Sequence, residues 1–203
     1  MAIENNAFFK LSYGLFVLSV KDGEKDNGCI INTTMQVTEK PYRIQIAVNN
    51  SNYTTEILKK TGKFNISVLD ITTPFSIFER FGFKSGRDTD KLSGFSDIAR
   101  SENGIFYLSK HANAVISANV VDTVEFETHT VFFAEVEEAK VLNDAESVTY
   151  QYYFDNIKPK PETKKKKGWV CKICGYVYEG ENLPEDFVCP WCKHPASDFE
   201  PIE

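Results

Sequence analysis

Two short cysteine pairs, Cys171-Lys-Ile-Cys174 and Cys189-Pro-Trp-Cys192, constrain this chain more than any other feature. A Cys-x-x-Cys turn lets backbone amides point at its first sulfur, and two such turns facing each other make a tetrahedral cage of four sulfurs. Amide hydrogen bonds to the thiolates stabilise the anionic centre and tune its potential. Gly175, directly after the second cysteine, suits the positive φ that closes such a turn. Tetrathiolate cages hold zinc as readily as iron, so the ligands alone leave the metal open. The fifth cysteine, Cys29, lies far upstream with no second thiol or base near it and reads as a small buried hydrophobe.

Four cysteines in paired turns point to a metal site rather than disulfides if the compartment is reducing. The N-terminal MAIENNAFFKLSYG lacks the basic region and apolar run of a secretory signal, which leads to the expectation of a cytoplasmic protein. No stretch approaches the roughly 20 apolar residues of a spanning helix, so no membrane partner is expected. With 29 acidic against 23 basic residues, and Lys164 to Lys167 as the one tight basic cluster, nucleic acid is not an expected partner either.

Composition changes sharply after Ile157, where TYQYYFDNI gives way to KPKPETKKKK. Two prolines and six lysines in ten residues cannot build a core, so residues 158–167 are expected to be a solvated linker. The predicted division is a domain over 1–157, the linker, and a small domain over 168–203. From Gly168 onward seven acidic residues stand against two lysines, and the lysine run reads as a solvated spacer or as an aid to docking that acidic tail.

Upstream, strands are predicted over 13–20, 28–38, 42–48, 64–69, 113–124 and 129–142, from alternation and from Val, Ile, Thr and aromatic content. A closed or nearly closed β-barrel is the natural outcome. Two short helices interrupt it: one from about Tyr53 to Thr61, capped by Asn52 or Ser51 and by Gly62, the other from Thr73-Pro74 to Gly82. The order lacks βαβ alternation and no GxGxxG follows a strand, so nothing identifies a nicotinamide-binding Rossmann unit.

The segment WVCKICGYVYEGENLPEDFVCPWCKHPASDFEPI resembles rubredoxin, in CGYVY at the first turn, CP at the second, and the aromatics Trp169, Tyr176, Trp191 and Phe199. That resemblance implies one iron ion per chain held by Cys171, Cys174, Cys189 and Cys192. Only 14 residues separate the turns, as in the shortened module of rubrerythrin, where a following His-Pro like His194-Pro195 also occurs. Lys193 stands where a glycine usually follows the last cysteine.

The larger part, about residues 8 to 155, resembles the flavin reductase family of FMN-binding split barrels. The likeness is carried by NGCIINTTMQVT (27–38), NNSNYTTEILKKTGKFNISVL (49–69), FGFKSGRDTDKLSGF (81–95) and HTVFFAEV (129–136). It implies a mainly β chain: an FMN-binding split β-barrel with short helices, then a small rubredoxin-like iron-binding domain. The family pattern places Ile31, Asn32, Thr33 and Thr34 against the flavin ring, a role their small and amide side chains suit. A flavin phosphate needs hydroxyls, amides and positive charge. Asn49, Ser51, Tyr53 and Thr54 are expected on one side of it, with Ser85, Gly86, Arg87 and Lys91 on the other. The plainer readings are an N-cap at Asn-Ser-Asn and a solvated charged loop at 87–91. His129 matches a histidine frequent in the family, for flavin binding or proton supply, though a lone histidine is also an ordinary structural residue.

An FMN-binding reductase domain followed by rubredoxin resembles the high molecular weight rubredoxins. The resemblance implies an NAD(P)H-dependent oxidoreductase in which electrons pass from NADH or NADPH, or a donor protein, through FMN to the iron. The acceptor it implies is a flavodiiron protein that reduces oxygen or nitric oxide, and the assembly it implies is a homodimer. No conventional acid–base pair is expected. The alternatives are a flavin reductase releasing reduced flavin, and a zinc-ribbon tail that recruits another macromolecule.

Overall fold

In the computed structural model, which describes residues 3–159 and 168–202, the run expected as one strand over 28–38 is two strands on opposite edges of a sheet. The first unit, Met1–Tyr153, contains β1 (Phe16–Asp22), β2 (Lys25–Ile31), β3 (Met35–Glu39), β4 (Tyr42–Asn49), α1 (Tyr53–Thr61) and β5 (Lys63–Leu69). It continues with α2 (Phe75–Gly82), the hairpin β6 (Ile98–Arg100) and β7 (Phe106–Leu108), and the long pair β8 (Ala112–Glu125) and β9 (His129–Val141). Seven strands form one sheet in the order β2-β1-β5-β8-β9-β4-β3, each antiparallel to its neighbour.

β2 and β3 are consecutive in sequence yet occupy the two edges, with Asn32-Thr33-Thr34 as the whole connection. Four chain steps reach at most about 14 Å. Seven strands laid flat would hold their edges about 29 Å apart. The sheet must therefore curl until its edges approach, which makes a split barrel. Thr33 stitches the crossing: its hydroxyl donates to the Ala47 carbonyl at 2.7 Å and accepts from the Ala47 amide at 3.1 Å. Nothing local marks the break, since Ile30 to Val37 carry no glycine or proline and read as continuous strand.

Curling brings both ends of the sheet into one core. Leu18 and Ile31 from β1 and β2 join Ile46 of β4, Phe64 of β5 and Phe132 of β9, with Ile57 and Leu58 of α1 completing the cluster. Cys29 belongs to the same cluster and is buried. α1 runs as the sequence predicts and ends where Gly62 takes φ 68°, its amide bonding Leu58 O at 2.9 Å. α2 lies against β2 and β7 against β1 and β5, with the rings of Phe81 and Phe106 at 6.0 Å. β1 is consequently covered on both faces, and Phe16 through Val20 are all buried. The short β6–β7 hairpin has too few residues for a period and was not expected.

The second unit is Phe154–Glu203, and the expected boundary after Ile157 falls just inside it. β10 (Gly168–Cys171) is central between β11 (Val177–Tyr178) and β12 (Phe199–Ile202). Phe187 is the hub of its small core, with ring centroids 4.8 Å from Tyr178 and 5.3 Å from Phe199. Residues 160–167, most of the expected linker and all of the Lys164–Lys167 run, lie outside the described residues. No helix among the described residues is long and apolar enough to cross a membrane.

Phe132 is fully buried at the middle of the barrel wall. Phe132→Ala is expected to cost about 3–5 kcal/mol, read as a lower urea midpoint for the barrel transition with the metal spectrum of the second unit kept.

Candidate metal centre and flavin site

Each cysteine pair sits in a turn that its own backbone closes. In the first, the Cys171 amide donates to Tyr176 O and the Gly175 amide to Cys171 O, both at 2.8 Å. In the second, the Cys189 amide donates to His194 O at 2.8 Å and the Lys193 amide to Cys189 O at 2.9 Å. The two turns are thus built alike. Gly175 takes φ 80° and Lys193 takes φ 63°, so the lysine adopts the left-handed backbone that the glycine adopts freely. The substitution that departs from the rubredoxin pattern leaves the turn intact, at the steric cost of a side chain there.

The four sulfurs converge. Cys171 Sγ is 3.6 Å from Cys192 Sγ, Cys174 Sγ is 3.4 Å from Cys189 Sγ, and all four lie within 4.8 Å of one another. A tetrahedral ion with bonds of about 2.3 Å needs sulfurs about 3.8 Å apart, so the cage fits. Four thiols so close cannot all ionise unaided. Hydrogen bonds from Cys174 and Cys192 hold Cys171 far below the usual thiol range, while the contact with Cys171 pushes Cys174 up to about 12 and the contacts with Cys171 and Cys174 push Cys192 up as well. A metal cation resolves that conflict by taking all four as thiolates. Tyr176 and Trp191 pack edge to face at 5.4 Å beside the second turn.

In the barrel, several expected flavin residues meet at the end of β4. Asn49 is paired with His129, the first residue of β9. Asn49 Oδ1 accepts from the Ser51 amide at 2.9 Å and the Ser51 hydroxyl at 2.8 Å, an Asx turn that leads into α1. Asn50 binds Phe126 O and receives the Thr130 hydroxyl, fastening the β8–β9 turn to the same place. His129 Nδ1 lies 2.9 Å from Thr128 Oγ1. The predicted cap, Asn52, makes no side-chain bond to the helix, so the first amides of α1 are not capped by it.

The 85–87 loop arrives from the other side. Arg87 makes a two-pronged ion pair with Glu56 in the first turn of α1, and its guanidinium lies 5.2 Å from the Tyr53 ring. The Arg87 hydrogen bond holds the Glu56 carboxyl below its ordinary value. Ser85 Oγ accepts from the Arg87 amide at 3.2 Å. Gly86 rests directly on Asn27: a Cβ built there would fall 2.0 Å from Asn27 Oδ1. Asn27 in turn donates to the Thr54 hydroxyl at 2.9 Å, so Thr54 is turned inward. Asn27 is the residue sequence reasoning missed: it follows Lys25 and Asp26 in β2, and nothing in that polar run marks it as the buried one.

Three expected residues are used differently. Lys91 is buried, its ammonium donating to Gly28 O at 2.7 Å and Phe81 O at 3.2 Å, and burial lowers its pKa. It braces β2 against α2 and does not join Arg87. Thr33 spends its hydroxyl on Ala47, as above, and Ile31 faces the core. Thr34 Oγ1, by contrast, is buried without a hydrogen-bond partner among the described residues. Ala47, beside Thr33, is two residues from Asn49, about 7 Å along one strand. Thr33 at Ala47 and the Asn49–His129 pair thus lie close together along β4. An orphaned hydroxyl, an uncapped helix start and a glycine pressed on a buried amide fit a flavin with its phosphate near α1.

A curled antiparallel barrel with these groups at one edge, followed by a tetrathiolate module, defines a class: a flavin reductase-like oxidoreductase joined to a rubredoxin-like metal domain. Residues 8–160 match the flavin reductase like domain family, and residues 169–200 match the rubredoxin-like domain of rubrerythrin. Over 98% of this chain and 100% of the relative, identity is 34% with the high molecular weight rubredoxin of Moorella thermoacetica. A ferric-chelate reductase (NAD(P)H) of Archaeoglobus fulgidus is 38% identical over 72% of this chain and 86% of its own. Among solved structures, an NADH:FAD oxidoreductase of Streptomyces globisporus superposes with a TM-score of 0.64 and 22% identity, covering 70% of this chain and 84% of that one, which bears on the fold. The chain belongs to the flavin reductase family and, with its C-terminal domain, to the high molecular weight rubredoxins within it.

Relieving the left-handed strain at the second turn should strengthen it. Lys193→Gly is expected to stabilise the metal-bound module by roughly 1 kcal/mol after the entropy of glycine is set against the strain, read as slower loss of the metal–thiolate absorbance to a chelator. Unchanged loss would mean that the Lys193 side chain makes compensating contacts.

Proposed function

We propose that this protein carries electrons from a reduced nicotinamide nucleotide, NADH or NADPH, through FMN in the barrel to iron in the tetrathiolate module. From there they pass to a redox acceptor such as a flavodiiron oxygen or nitric oxide reductase. The observation that carries this reading is the presence, in one chain, of a flavin reductase barrel and a four-sulfur cage of metal-binding dimensions. FMN exchanges two electrons with a hydride donor and one at a time with a metal, and an iron tetrathiolate holds one. The chain's own part is placement. Asn49, Ser51, Tyr53, Ser85, Gly86 and Arg87 would receive the flavin phosphate, Asn32 and Thr34 would face the ring, and His129 would border the site. Ile31, Thr33, Thr54 and Lys91 would hold that frame from behind.

Covalent continuity makes the encounter of the two centres intramolecular, at an effective concentration on the order of millimolar. A second copy of the chain is the expected partner of the barrel. Met35 and Val37 on β3, Tyr42 on β4, and Val121 and Val124 on β8 are exposed apolar residues in the β8-β9-β4-β3 half of the sheet, and burying them would stabilise a dimer. Light scattering of Val124→Glu should then report a monomer where the parent reports a dimer.

The test is metal content and visible spectrum of the purified protein, followed anaerobically as NADH and then NADPH are added. Iron near one per chain, retained FMN, and bleaching of the ferric thiolate bands after the flavin is the expected result. Zinc in the cage, or iron that never bleaches, would sink the relay. Arg87→Ala is expected to weaken FMN binding about tenfold, seen by fluorescence titration of the flavin-free protein. Binding within about twofold of the parent would remove Arg87 from the phosphate site.

A further inference from the structure

Lys158 opens the stretch that composition marks as a linker, yet it is fastened to the metal module. Its ammonium donates to the carbonyl of Lys172 and to that of Ile173, each at 2.8 Å, and its chain passes 3.6 Å from the position a Gly175 Cβ would take. The Phe154 ring lies 4.7 Å from the same ammonium. Lys172 and Ile173 are the two residues between the ligands Cys171 and Cys174.

The peptide units involved are telling. The Lys172 carbonyl shares its peptide group with the Ile173 amide, and the Ile173 carbonyl shares its own with the Cys174 amide. Those two amides are the backbone donors to Cys171 Sγ. One cation therefore grips the oxygen ends of the two peptide groups whose N–H ends serve a single metal-ligating sulfur. A positive charge at the oxygen polarises the peptide and strengthens its N–H donation, since linked hydrogen bonds reinforce one another. It also fixes the tilt of both groups.

We infer that Lys158, outside the cysteine module in sequence, is a positioning residue for the metal centre that favours its more negatively charged, reduced state. The inference rests on iron occupying the cage. On reduction the iron takes one electron from the reductant, no bond forms or breaks, and the tetrathiolate unit gains one negative charge. Stronger amide donation and the nearby ammonium both stabilise that added charge, so the potential rises. The neighbouring Lys172 carries an equal charge on the same turn, but its side chain is exposed and makes no such grip on the peptide oxygens among the contacts of the described residues.

The experiment uses the full-length iron-loaded protein and its Lys158→Met, Lys158→Arg and Lys172→Gln variants, titrated with dithionite and mediators while the ferric thiolate band is followed. Iron content is measured first, so a failure of the iron reading appears as zinc or as no redox-active band in any of the four. With iron present, Lys158→Met should shift the equilibrium about tenfold toward the oxidised form, about 59 mV for a one-electron couple. Lys158→Arg should keep most of the parent's potential, and Lys172→Gln should stay within about twofold of it. If Lys158→Met takes up no iron while Lys158→Arg does, the positioning role stands. In the zinc-loaded protein, the Ile173 and Cys174 amides should exchange with solvent faster in Lys158→Met than in the parent. A Lys158→Met potential within about twofold of the parent, an equal shift in Lys172→Gln, or unchanged amide exchange would each overturn the inference.

Discussion

Three residues, Asn32 to Thr34, must carry the chain from one edge of a seven-stranded sheet to the other. That short reach forces the curl, the curl makes the common core, and the core fixes where β4 ends. The end of β4 is where Asn49, Ser51, His129 and the start of α1 gather. Seen this way, the barrel and its candidate flavin site are one consequence of chain geometry. Thr33 matters because its hydroxyl takes both hydrogen-bonding groups of Ala47, where the β3–β4 ladder has stopped.

The second unit solves a different problem with different means. Its strands are two to four residues long, and an apolar core of that size contributes little by itself. Two backbone-closed turns do the organising, and a cation held by the four thiolates would resolve their charge conflict and so become part of the fold. Acid should act here through competition of protons with metal for sulfur.

Much of this was legible in the sequence, for identifiable reasons. The cysteine spacing names four ligands because a Cys-x-x-Cys turn has few other uses, and the structure brings those four sulfurs together. α1 was legible from Tyr53 to Thr61 because Gly62 ends it with a backbone that few other residues adopt. The 28–38 run was not legible as two strands, because the break lies in the global curl and leaves no turn residue behind. Lys91 looked like a phosphate ligand because a loop lysine beside Arg87 normally faces water, whereas here two backbone carbonyls draw it inward. Lys158 was assigned to the linker on composition, and composition does not record that an ammonium has found two carbonyls.

The edges of the barrel have a kinetic meaning. Where two strands are laddered, a molecule passing between them must break backbone hydrogen bonds that cost about 1 kcal/mol each. β2 and β3 share no ladder. Parting them there would break no strand-to-strand hydrogen bond, so a planar guest could come and go through the seam while the rest of the wall stays shut. Its rate of passage would then be set by the few side chains at the crossing, and residence time could be tuned in evolution without touching the stability of the sheet.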